Sequence, residues 1–340
     1  MKILLSSYVF SPSVGGIETV SALIAPEFAK AGHEVILITR TKEEDGVTWP
    51  FKVYRRPGPR RLIGLVRWCD VYFQNNISLT YAWPLLLIRR PWVIAHHTWI
   101  GQYHGERNFK ARLKRLLLRF GTNATISHSV AGDIPVPSII VGNPYSASVF
   151  KARPEIPRDR ELVYLGRLVS DKGVDMIIKS MVQLRARGLL PRLTIIGSGA
   201  EELELRRLVR EFDLESQVEF TGSKAPADIA RLLNAHQVLV VPSRWPEPFG
   251  IVALEGLASG CVVVASAAGG LTSVVGRCGI TFALGDQTEL TDAIERVLTR
   301  PQLRAQLLSN VAGHLRQFEP ATVAGKYLAV FQRALKLNTP

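Results

Sequence analysis

Short apolar runs alternate with amphipathic helical patterns along most of this sequence. Runs rich in valine, isoleucine and leucine that are bounded by glycine, proline or charged residues predict buried strands. Such runs occupy residues 1–7, 34–39, 70–73, 92–95, 124–127, 138–141, 162–165, 193–196, 218–220, 238–241 and 262–265. Helical patterns occupy residues 17–31, 173–187, 201–212, 226–235, 250–259 and 319–335. This alternation predicts an α/β fold with parallel sheets that are covered on both faces.

The chain length of 340 residues favours two such domains. A proline-rich, charged stretch at 143–160 interrupts the series of strands and is typical of a linker. The sequence therefore predicts a first domain at 1–150, a second domain at 151–318 and a closing helix within 319–340.

Residues 237–260, QVLVVPSRWPEPFGIVALEGLASG, combine a strand, a loop and a short helix. The first amides of this helix, predicted at Phe249, Gly250 and Ile251, lack partners within the helix and carry partial positive charge. Two carboxylates, Glu247 and Glu255, flank them. Amides suit an anion, whereas a carboxylate accepts hydrogen bonds from neighbouring hydroxyls. A diphosphate flanked by sugars is the ligand class that satisfies both kinds of group.

The pair Glu247 and Glu255, with seven residues between them in the frame PSRWPEPFGIVALEGLASG, resembles the signature of retaining glycosyltransferases of family 4. The alternative is an ordinary βα unit with incidental acids, which the Glu-Pro-Phe-Gly and Glu-Gly-x-Ala-x-Gly pieces disfavour. The resemblance implies the GT-B fold, in which two Rossmann-like domains with parallel sheets face each other. It further implies an acceptor side at 1–150, a nucleotide-sugar donor side at 151–318, and a last helix at 319–340 that crosses back to the first domain.

A second motif, Gly-Arg-Leu-x-x-x-Lys-Gly, follows a predicted strand and places Arg167 and Lys172 on a strand-to-helix loop. Isolated cations at such a position are usually only solvated. The frame resembles the diphosphate-binding segment of family 4, which implies that both cations neutralise the leaving group. The resemblance places Glu247 on the hydroxyl side of the donor sugar. It implies front-face departure and attack, with electrostatic stabilisation as the main contribution of the protein, rather than a glycosidase-like nucleophile.

Three further positions resemble the family through only one or two residues each. The pair Gly15-Gly16 after the first strand is by itself most simply a turn, but the resemblance implies a loop that approaches the donor diphosphate and the acceptor. A histidine at the end of a strand, such as His97, is as often structural as functional; the resemblance implies an imidazole that lies against the donor sugar and the acceptor. By resemblance, Gly197 and Thr221 lie near the base and ribose of the nucleotide.

These motifs together imply a retaining, metal-independent hexosyltransferase. The donor is expected to be a nucleotide diphosphate sugar, with UDP as the nucleotide, and the acceptor a lipid-linked or saccharide molecule of polysaccharide or glycolipid assembly. No cofactor and no metal are expected, and the chain contains no Asp-x-Asp pair. Two alternatives stay open. One is a non-catalytic GT-B subunit that binds membranes, and the other is a GT-B sugar-nucleotide epimerase, for which no acid/base set is identifiable.

Composition is that of a globular protein, with 47% hydrophobic and 21% charged residues. No apolar run approaches the ~18 residues needed to cross a bilayer, and the first residues are interpreted as a strand rather than a signal peptide. The three cysteines, Cys69, Cys261 and Cys278, are odd in number and lie in apolar contexts. This pattern disfavours disulfides and a metal site and favours a reducing cytoplasm.

The net charge is +13, and residues 1–150 contribute 18 basic against 9 acidic residues, or +9. The segment 107–120, RNFKARLKRLLLRF, has apolar residues at helical spacing and no acid. Its cations are Arg107, Lys110, Arg112, Lys114, Arg115 and Arg119. The alternative is a surface helix with a solvated basic face, and nucleic acid is disfavoured because no binding motif accompanies the segment. The segment predicts peripheral binding to the anionic inner face of the cell membrane, where a lipid-linked acceptor would be used.

Overall fold

The computed structural model describes residues 1–13, 15–43, 46–100 and 109–338 of the chain. The chain forms two compact units. The first unit comprises Met1–Tyr145 together with Phe318–Pro340, and the second comprises Ser146–Gln317. The closing segment of the chain therefore packs with the first unit.

A seven-stranded parallel sheet forms the centre of the first unit. Its strands are Lys2–Ser7 (β1), Glu34–Thr39 (β2), Lys52–Arg55 (β3), Val71–Asn75 (β4), Trp92–His96 (β5), Thr122–Thr125 (β6) and Ser138–Ile140 (β7). They lie in the order β3-β2-β1-β4-β5-β6-β7, and every neighbouring pair is parallel. Strands β1 and β5 are buried along nearly their whole length, which explains why their sequences are apolar runs without polar alternation.

Helices cover this sheet. Within the described residues before the second unit they are Gly16–Lys30 (α1), Pro59–Trp68 (α2), Leu79–Ala82 (α3), Phe109–Leu117 (α4) and His128–Asp133 (α5), and 3-10 turns follow α3 at Trp83–Leu86 and α4 at Leu118–Phe120. Local chemistry sets several of their ends. Pro59 opens α2 with a preset φ angle, and the Ser127 hydroxyl caps α5 by accepting from the amide of Val130 at 3.2 Å.

The second unit has a six-stranded parallel sheet. Its strands are Arg160–Leu165 (β8), Leu193–Ile196 (β9), Val218–Gly222 (β10), His236–Val241 (β11), Val262–Ser266 (β12) and Gly279–Phe282 (β13). They lie in the order β10-β9-β8-β11-β12-β13, and all pairs are parallel. The predicted α/β class with two Rossmann-like domains is confirmed.

Helices flank the second sheet, and several of them contribute buried apolar residues to its core. The helices are Val174–Ala186 (α6), Glu202–Glu211 (α7), Pro226–Ala235 (α8), Ile251–Ala258 (α9), Leu271–Val275 (α10), Gln287–Thr299 (α11), Pro301–Ser309 (α12) and Val311–Leu315 (α13). Ile177 and Leu184 of α6 and Ile294 and Val297 of α11 are fully buried in one apolar cluster with β11. A short 3-10 turn, Ser170–Lys172, precedes α6.

The last helix, Pro320–Asn338 (α14), belongs to the first unit. Its Tyr327 and Phe331 rings lie 4.9 and 5.0 Å from the ring of Phe73 in β4, and Phe331 lies 5.4 Å from Phe28 in α1. Aromatic burial of this size anchors a helix firmly. None of the described helices combines the length and the apolarity that crossing a bilayer requires.

Strand order marks one place in each sheet where a ligand is expected. In the first sheet the order reverses between β1 and β4, and in the second it reverses between β8 and β11. In open parallel sheets, ligands bind beyond the carboxyl ends of the strands at such a reversal, because the connecting loops diverge there and leave a crevice. The loops after β8 and β11 carry Arg167, Lys172 and Glu247.

Candidate active site

The loop after β8 is brought to the loop after β11 by a glycine. Gly173 adopts φ +66°, and a Cβ atom there would lie 2.2 Å from the carbonyl oxygen of Pro242, directly after β11. Only a residue without a side chain allows this approach. The last glycine of the motif Gly-Arg-Leu-x-x-x-Lys-Gly therefore sets Lys172 next to the loop that carries Glu247.

Lys172 and Glu247 are in direct contact. The Lys172 Nζ donates to Oε1 of Glu247, and the Ser243 hydroxyl donates to the same oxygen at 2.7 Å. The two charged side chains are only 20% and 17% exposed. Because water screens them little, their attraction exceeds that of a surface ion pair. The fold thus pairs a cation and an acid that are 75 positions apart in sequence.

A third loop holds the backbone of Glu247. The amide of Gly270 donates to the Glu247 carbonyl oxygen at 2.7 Å, and Gly269 forms a parallel bridge with Glu247. Gly269 has φ +65°, and a Cβ atom there would lie 2.0 Å from that carbonyl oxygen. The loop after β12 therefore needs glycine to pack here. Glu247 is fixed through its carboxylate by Lys172 and through its main chain by this loop.

Helix α9 begins directly after the acidic loop. Gly250 precedes it with φ +98°, and a Cβ atom there would lie 2.4 Å from Cδ2 of Leu271. The Phe249 side chain is only 4% exposed and anchors the loop in the core. Ile251 opens the helix, and its amide has no carbonyl partner within the helix. The structure therefore forms the helix start that the sequence predicted beside Glu247.

Glu255 lies about one turn into α9 and is partly buried. In the described part of the chain its carboxyl group has no hydrogen-bond or ionic partner. Burial raises the pKa of Glu255 to about 8, since water no longer stabilises the charged form. In the free protein the group is therefore largely protonated at neutral pH. A ligand hydroxyl would provide the hydrogen-bond partner that the fold does not supply.

Arg167 lies in the same loop as Lys172, five residues earlier. Its carbonyl oxygen accepts a hydrogen bond from the Tyr164 hydroxyl at 2.8 Å, which fixes the main chain. Its side chain is exposed, and no partner of the guanidinium is found among the residues that the structure describes. The guanidinium is available for a bidentate contact with a phosphate, in which two N–H groups donate to two phosphate oxygens.

Gly197 and Thr221 have structural reasons for their identity. Gly197 has φ +136°, and a Cβ atom there would lie 1.9 Å from the carbonyl oxygen of Gly166, so packing of the two loops alone requires glycine. The Thr221 hydroxyl lies 3.3 Å from the carbonyl oxygens of both Ile195 and Gly222. A place for Gly197 and Thr221 near the nucleoside stays a prediction.

In the first unit, His97 follows β5 and is held by two asparagines. Its amide donates to Oδ1 of Asn76 at 2.7 Å, and its Nδ1 lies 2.9 Å from Oδ1 of Asn143. The residue is 8% exposed. Its Nε2 is buried and has no hydrogen-bond partner in the described part of the chain.

These contacts define the state of the His97 ring. With an amide oxygen facing Nδ1, that nitrogen carries the proton and Nε2 keeps a free lone pair. Burial is the main cause that lowers the pKa of His97 to about 4, against a smaller opposing effect of the Asn143 bond. Neighbouring His96 also lowers it slightly. Above pH 5 the Nε2 atom of His97 therefore acts only as a hydrogen-bond acceptor, which suits a sugar hydroxyl.

The glycine pair of the first loop lies at the start of α1. Gly15 precedes the helix and Gly16 opens it. A Cβ atom at Gly16 would meet no described atom within 4 Å, and at Gly15 the nearest atoms would belong to the flexible carboxylate of Glu18. Neither packing nor a left-handed φ angle requires glycine here. The missing side chains instead leave the backbone at this helix start accessible.

The predicted basic helix is formed in part by α4 and the 3-10 turn after it. Arg112 and Arg119 are exposed, and Lys114 and Arg115 are half-buried. Arg107 lies outside the described residues, as does the side chain of Lys110. Leu116 and Phe120 are exposed at 51% and 73%, so part of the apolar side of this segment faces solvent.

Asn76, Asn143 and Ser243 were not predicted from the sequence. Asn143 lies in the stretch 143–160 that was predicted to be a linker, but it is 4% exposed within the first unit, so the linker prediction is wrong at its start. Each of the three follows a strand by one to three residues, and a polar residue at that place is the available signal. The sequence does not reveal which side chain each of them would contact.

The site chemistry is that of cations, acids and hydrogen-bond acceptors. Among the described residues no group of three or more His, Cys, Asp or Glu side chains could hold a metal ion. The three cysteines are free and buried, and burial raises the pKa of the Cys261 thiol to about 12, so it is not a nucleophile. The arrangement can bind a diphosphate through Arg167 and Lys172, and hydroxyls through the carboxyl groups of Glu247 and Glu255.

Comparisons with known proteins find a family match within the second unit. Residues 148–313 match the family model described as glycosyl transferases group 1. D-inositol 3-phosphate glycosyltransferase of Stackebrandtia nassauensis is 32% identical over 186 residues, which cover 52% of this chain and 42% of that protein. Alpha-D-kanosaminyltransferase of Streptomyces kanamyceticus is 31% identical over 182 residues, 53% of this chain and 47% of that protein. The chain thus spans about half the length of the curated relatives it matches.

The fold is shared with solved structures over nearly the whole chain. The structure of Anabaena Alr3699/HepE in complex with UDP and glucose superimposes with a TM-score of 0.78 at 21% sequence identity. The match covers 98% of this chain and 99% of that protein. At that identity the match shows the fold, which is GT-B as predicted.

Fold and site together define an α/β protein of the GT-B class with two Rossmann-like units. Within it, residues 148–313 are similar to the group 1 glycosyl transferases. The predicted likeness to glycosyltransferases is confirmed for this segment, and the activity of the whole protein stays a prediction. Assignment to family 4 stays a prediction.

Proposed function

We propose that this protein transfers a hexose from a nucleotide diphosphate sugar to an acceptor, with retention of the anomeric configuration. The observation that carries the proposal is the contact of Lys172 with Glu247 beyond the carboxyl ends of β8 and β11. That contact puts an anion-binding group and a hydroxyl-binding group side by side at the strand-order reversal. Uridine is the nucleoside we favour, because a GT-B neighbour was solved with UDP and glucose.

Donor binding would change the hydrogen-bond partners of Lys172 and Glu247 in the second unit. The diphosphate competes with Glu247 for Lys172, and the exposed Arg167 adds a second positive charge. Once Lys172 turns to the phosphate, the Glu247 carboxylate can accept from sugar hydroxyls. The bond between the anomeric carbon and the diphosphate then breaks, and the stabilised leaving oxygen takes the proton of the acceptor hydroxyl as that hydroxyl attacks from the same face.

A thermal-shift screen with nucleoside diphosphates and their sugars tests the proposed donor class. A ligand that binds only the folded state stabilises it by about 2.7 kcal/mol at one hundred times its dissociation constant. We expect UDP or another nucleoside diphosphate to raise Tm, and the free nucleoside to leave it unchanged. If no nucleoside diphosphate or nucleotide sugar shifts Tm, the donor assignment is wrong.

Catalysis is proposed to need no divalent metal. Lys172, Arg167 and the start of α9 already supply the positive charge that a metal would bring to a diphosphate. Activity in excess EDTA is therefore expected to equal activity without it. The control is addition of magnesium or manganese after EDTA. Loss of turnover that either ion restores would show that the two cations do not suffice.

The acceptor is proposed to be lipid-linked and used at the anionic inner face of the cell membrane, in polysaccharide or glycolipid assembly. Support comes from the first unit, where exposed Arg112 and Arg119 lie on the same segment as exposed Leu116 and Phe120. Each cation near an anionic bilayer contributes about 1 kcal/mol, and apolar side chains add to this by entering the interface. Binding of this kind weakens as salt is raised.

A further inference from the structure

An apolar groove of about 620 Å³ opens on the first unit, and the residues that line it are not among those assigned to the donor. One wall is the segment around the 3-10 turn Trp83–Leu86, and the other is formed by α4 and the turn that follows it. Leu86, Leu87, Leu117 and Phe120 are among its lining residues, and Trp92, which is only 6% exposed, also lines it. Its volume is in the range of sites that hold small organic molecules.

The rim of the groove exposes apolar side chains that the fold does not use. Leu85 and Ile88 pack against the core of the first unit. Between them in sequence, Leu86 and Leu87 are 74% and 76% exposed, and Phe120 across the groove is 73% exposed. Single exposed leucines are ordinary, but three large apolar side chains around one concave surface mark a binding site.

The charged residues around the groove indicate which kind of molecule it binds. The described residues 79–100 and 109–120 contain no Asp or Glu, whereas they contain Arg89, Arg90 and five cations of the α4 segment. Arg90 is committed to the carbonyl oxygens of Val66 and Arg67. Arg89 is exposed at the rim and has no partner in the described part of the chain.

This charge disfavours a second copy of the chain as the occupant. Each copy has a net charge of +13, so a self-association that joins two basic surfaces brings like charges together. A molecule with an apolar chain and a negative head matches both the groove and its rim. Among such molecules, membrane lipids are the class that a peripheral enzyme meets at high local concentration.

We propose that the groove holds a hydrocarbon chain of an anionic membrane lipid, with the charged head of the lipid beside Arg89. This inference rests on the membrane-surface part of the proposed function and deepens it. It adds one defined lipid site to the general attraction between a basic surface and an anionic membrane. Insertion of Leu86, Leu87 and Phe120 among the chains would bury the apolar side chains that the folded protein leaves in water.

Tryptophan fluorescence with vesicles provides the test, since Trp83 and Trp92 line the groove. Vesicles of phosphatidylglycerol with bromine atoms in the middle of the chains quench only tryptophans that lie close to lipid chains. We expect the vesicles to quench the tryptophan fluorescence of the wild-type protein. Most of this quenching is expected to be lost in Trp83→Phe and in the double variant Leu86→Ser, Leu87→Ser. The matched control is Leu190→Ser, Leu203→Ser, which removes two leucines of the second unit that are 65% and 81% exposed.

Co-sedimentation with the same vesicles distinguishes the proposed lipid site from the proposed binding to the membrane surface. Sedimentation with anionic but not neutral vesicles, reduced by added salt and by replacing Lys110, Arg112, Lys114 and Arg115 with serine, is expected from the membrane-surface proposal. Sedimentation without tryptophan quenching, or equal quenching in the groove and control variants, would overturn the lipid site alone. No sedimentation with anionic vesicles would overturn both. A concentration-dependent dimer that Leu86→Ser, Leu87→Ser abolishes would assign the groove to a second copy and overturn the lipid site.

Discussion

Replacing Arg167 and Lys172 together with alanine is expected to lower kcat/KM for nucleotide-sugar turnover by roughly a hundred- to ten-thousand-fold. Each cation is assigned a charge-assisted bond to the leaving diphosphate, and such a bond contributes about 1.5–3 kcal/mol. The two together contribute about 3–6 kcal/mol, and each tenfold in rate corresponds to about 1.4 kcal/mol. Steady-state kinetics of nucleoside diphosphate release measure this loss.

The double variant also leaves Glu247 without Lys172 in a partly buried place. Its Tm therefore has to be recorded beside its rate, so that loss of catalysis is separated from loss of fold. A matched control is the pair Lys179→Ala, Arg192→Ala, which removes two exposed cations of the second unit whose ion pairs are superficial. Activity near the wild-type level in Arg167→Ala, Lys172→Ala would remove the diphosphate assignment.

Changing Asn143 to aspartate is expected to move the acidic limb of the pH profile of kcat/KM upward. In the wild type, His97 is neutral above pH 5 because burial lowers its pKa to about 4. A carboxylate at position 143 would face Nδ1 at the 2.9 Å position now held by an amide oxygen, and an opposite charge at that distance raises a histidine pKa by about 1–3 units. Below the new pKa, Nε2 carries a proton and cannot accept from a hydroxyl, so activity falls at a higher pH than in the wild type.

Neighbouring His96 offers a matched control for this change. Its Nε2 lies 2.9 Å from Oδ1 of Asn123, burial is again the main cause that lowers its pKa to about 4, and Asp133 raises it slightly. Asn123→Asp is expected to leave the acidic limb in place, although it also loses bonds to the carbonyl oxygens of Leu118 and Gly121. An identical shift in both variants, or none in Asn143→Asp, would contradict the role given to the Nε2 lone pair of His97.

Strands in the middle of the two sheets were predictable because burial on both faces makes them continuous apolar runs. The bounds predicted for β2 and β9, 34–39 and 193–196, are those observed. The edge strands β3 and β13 were missed. Their sequences, KVYR and GITF, are short and partly exposed, so neither a continuous run nor a clear alternation marks them.

The places of the residues assigned to the donor were predictable because each lies within a short sequence frame next to its strand. Glu247 and Lys172 each belong to such a frame, but their contact arises from strand order and from Gly173, which linear spacing does not encode. The His97 contact with Asn143 likewise joins residues from loops after β5 and β7. Long-range side-chain pairing of this kind follows only once the order of the strands is known.

Hexose transfer can be tested in one incubation. The donor found by thermal shift is mixed with the protein and a membrane lipid extract, and nucleoside diphosphate release and the masses of the lipids are followed together. We expect release of free nucleoside diphosphate in step with a lipid product heavier by one hexose. Neither is expected without the extract or in Arg167→Ala, Lys172→Ala. Recovery of the bound donor intact, or as an epimerised nucleotide sugar, would contradict hexose transfer.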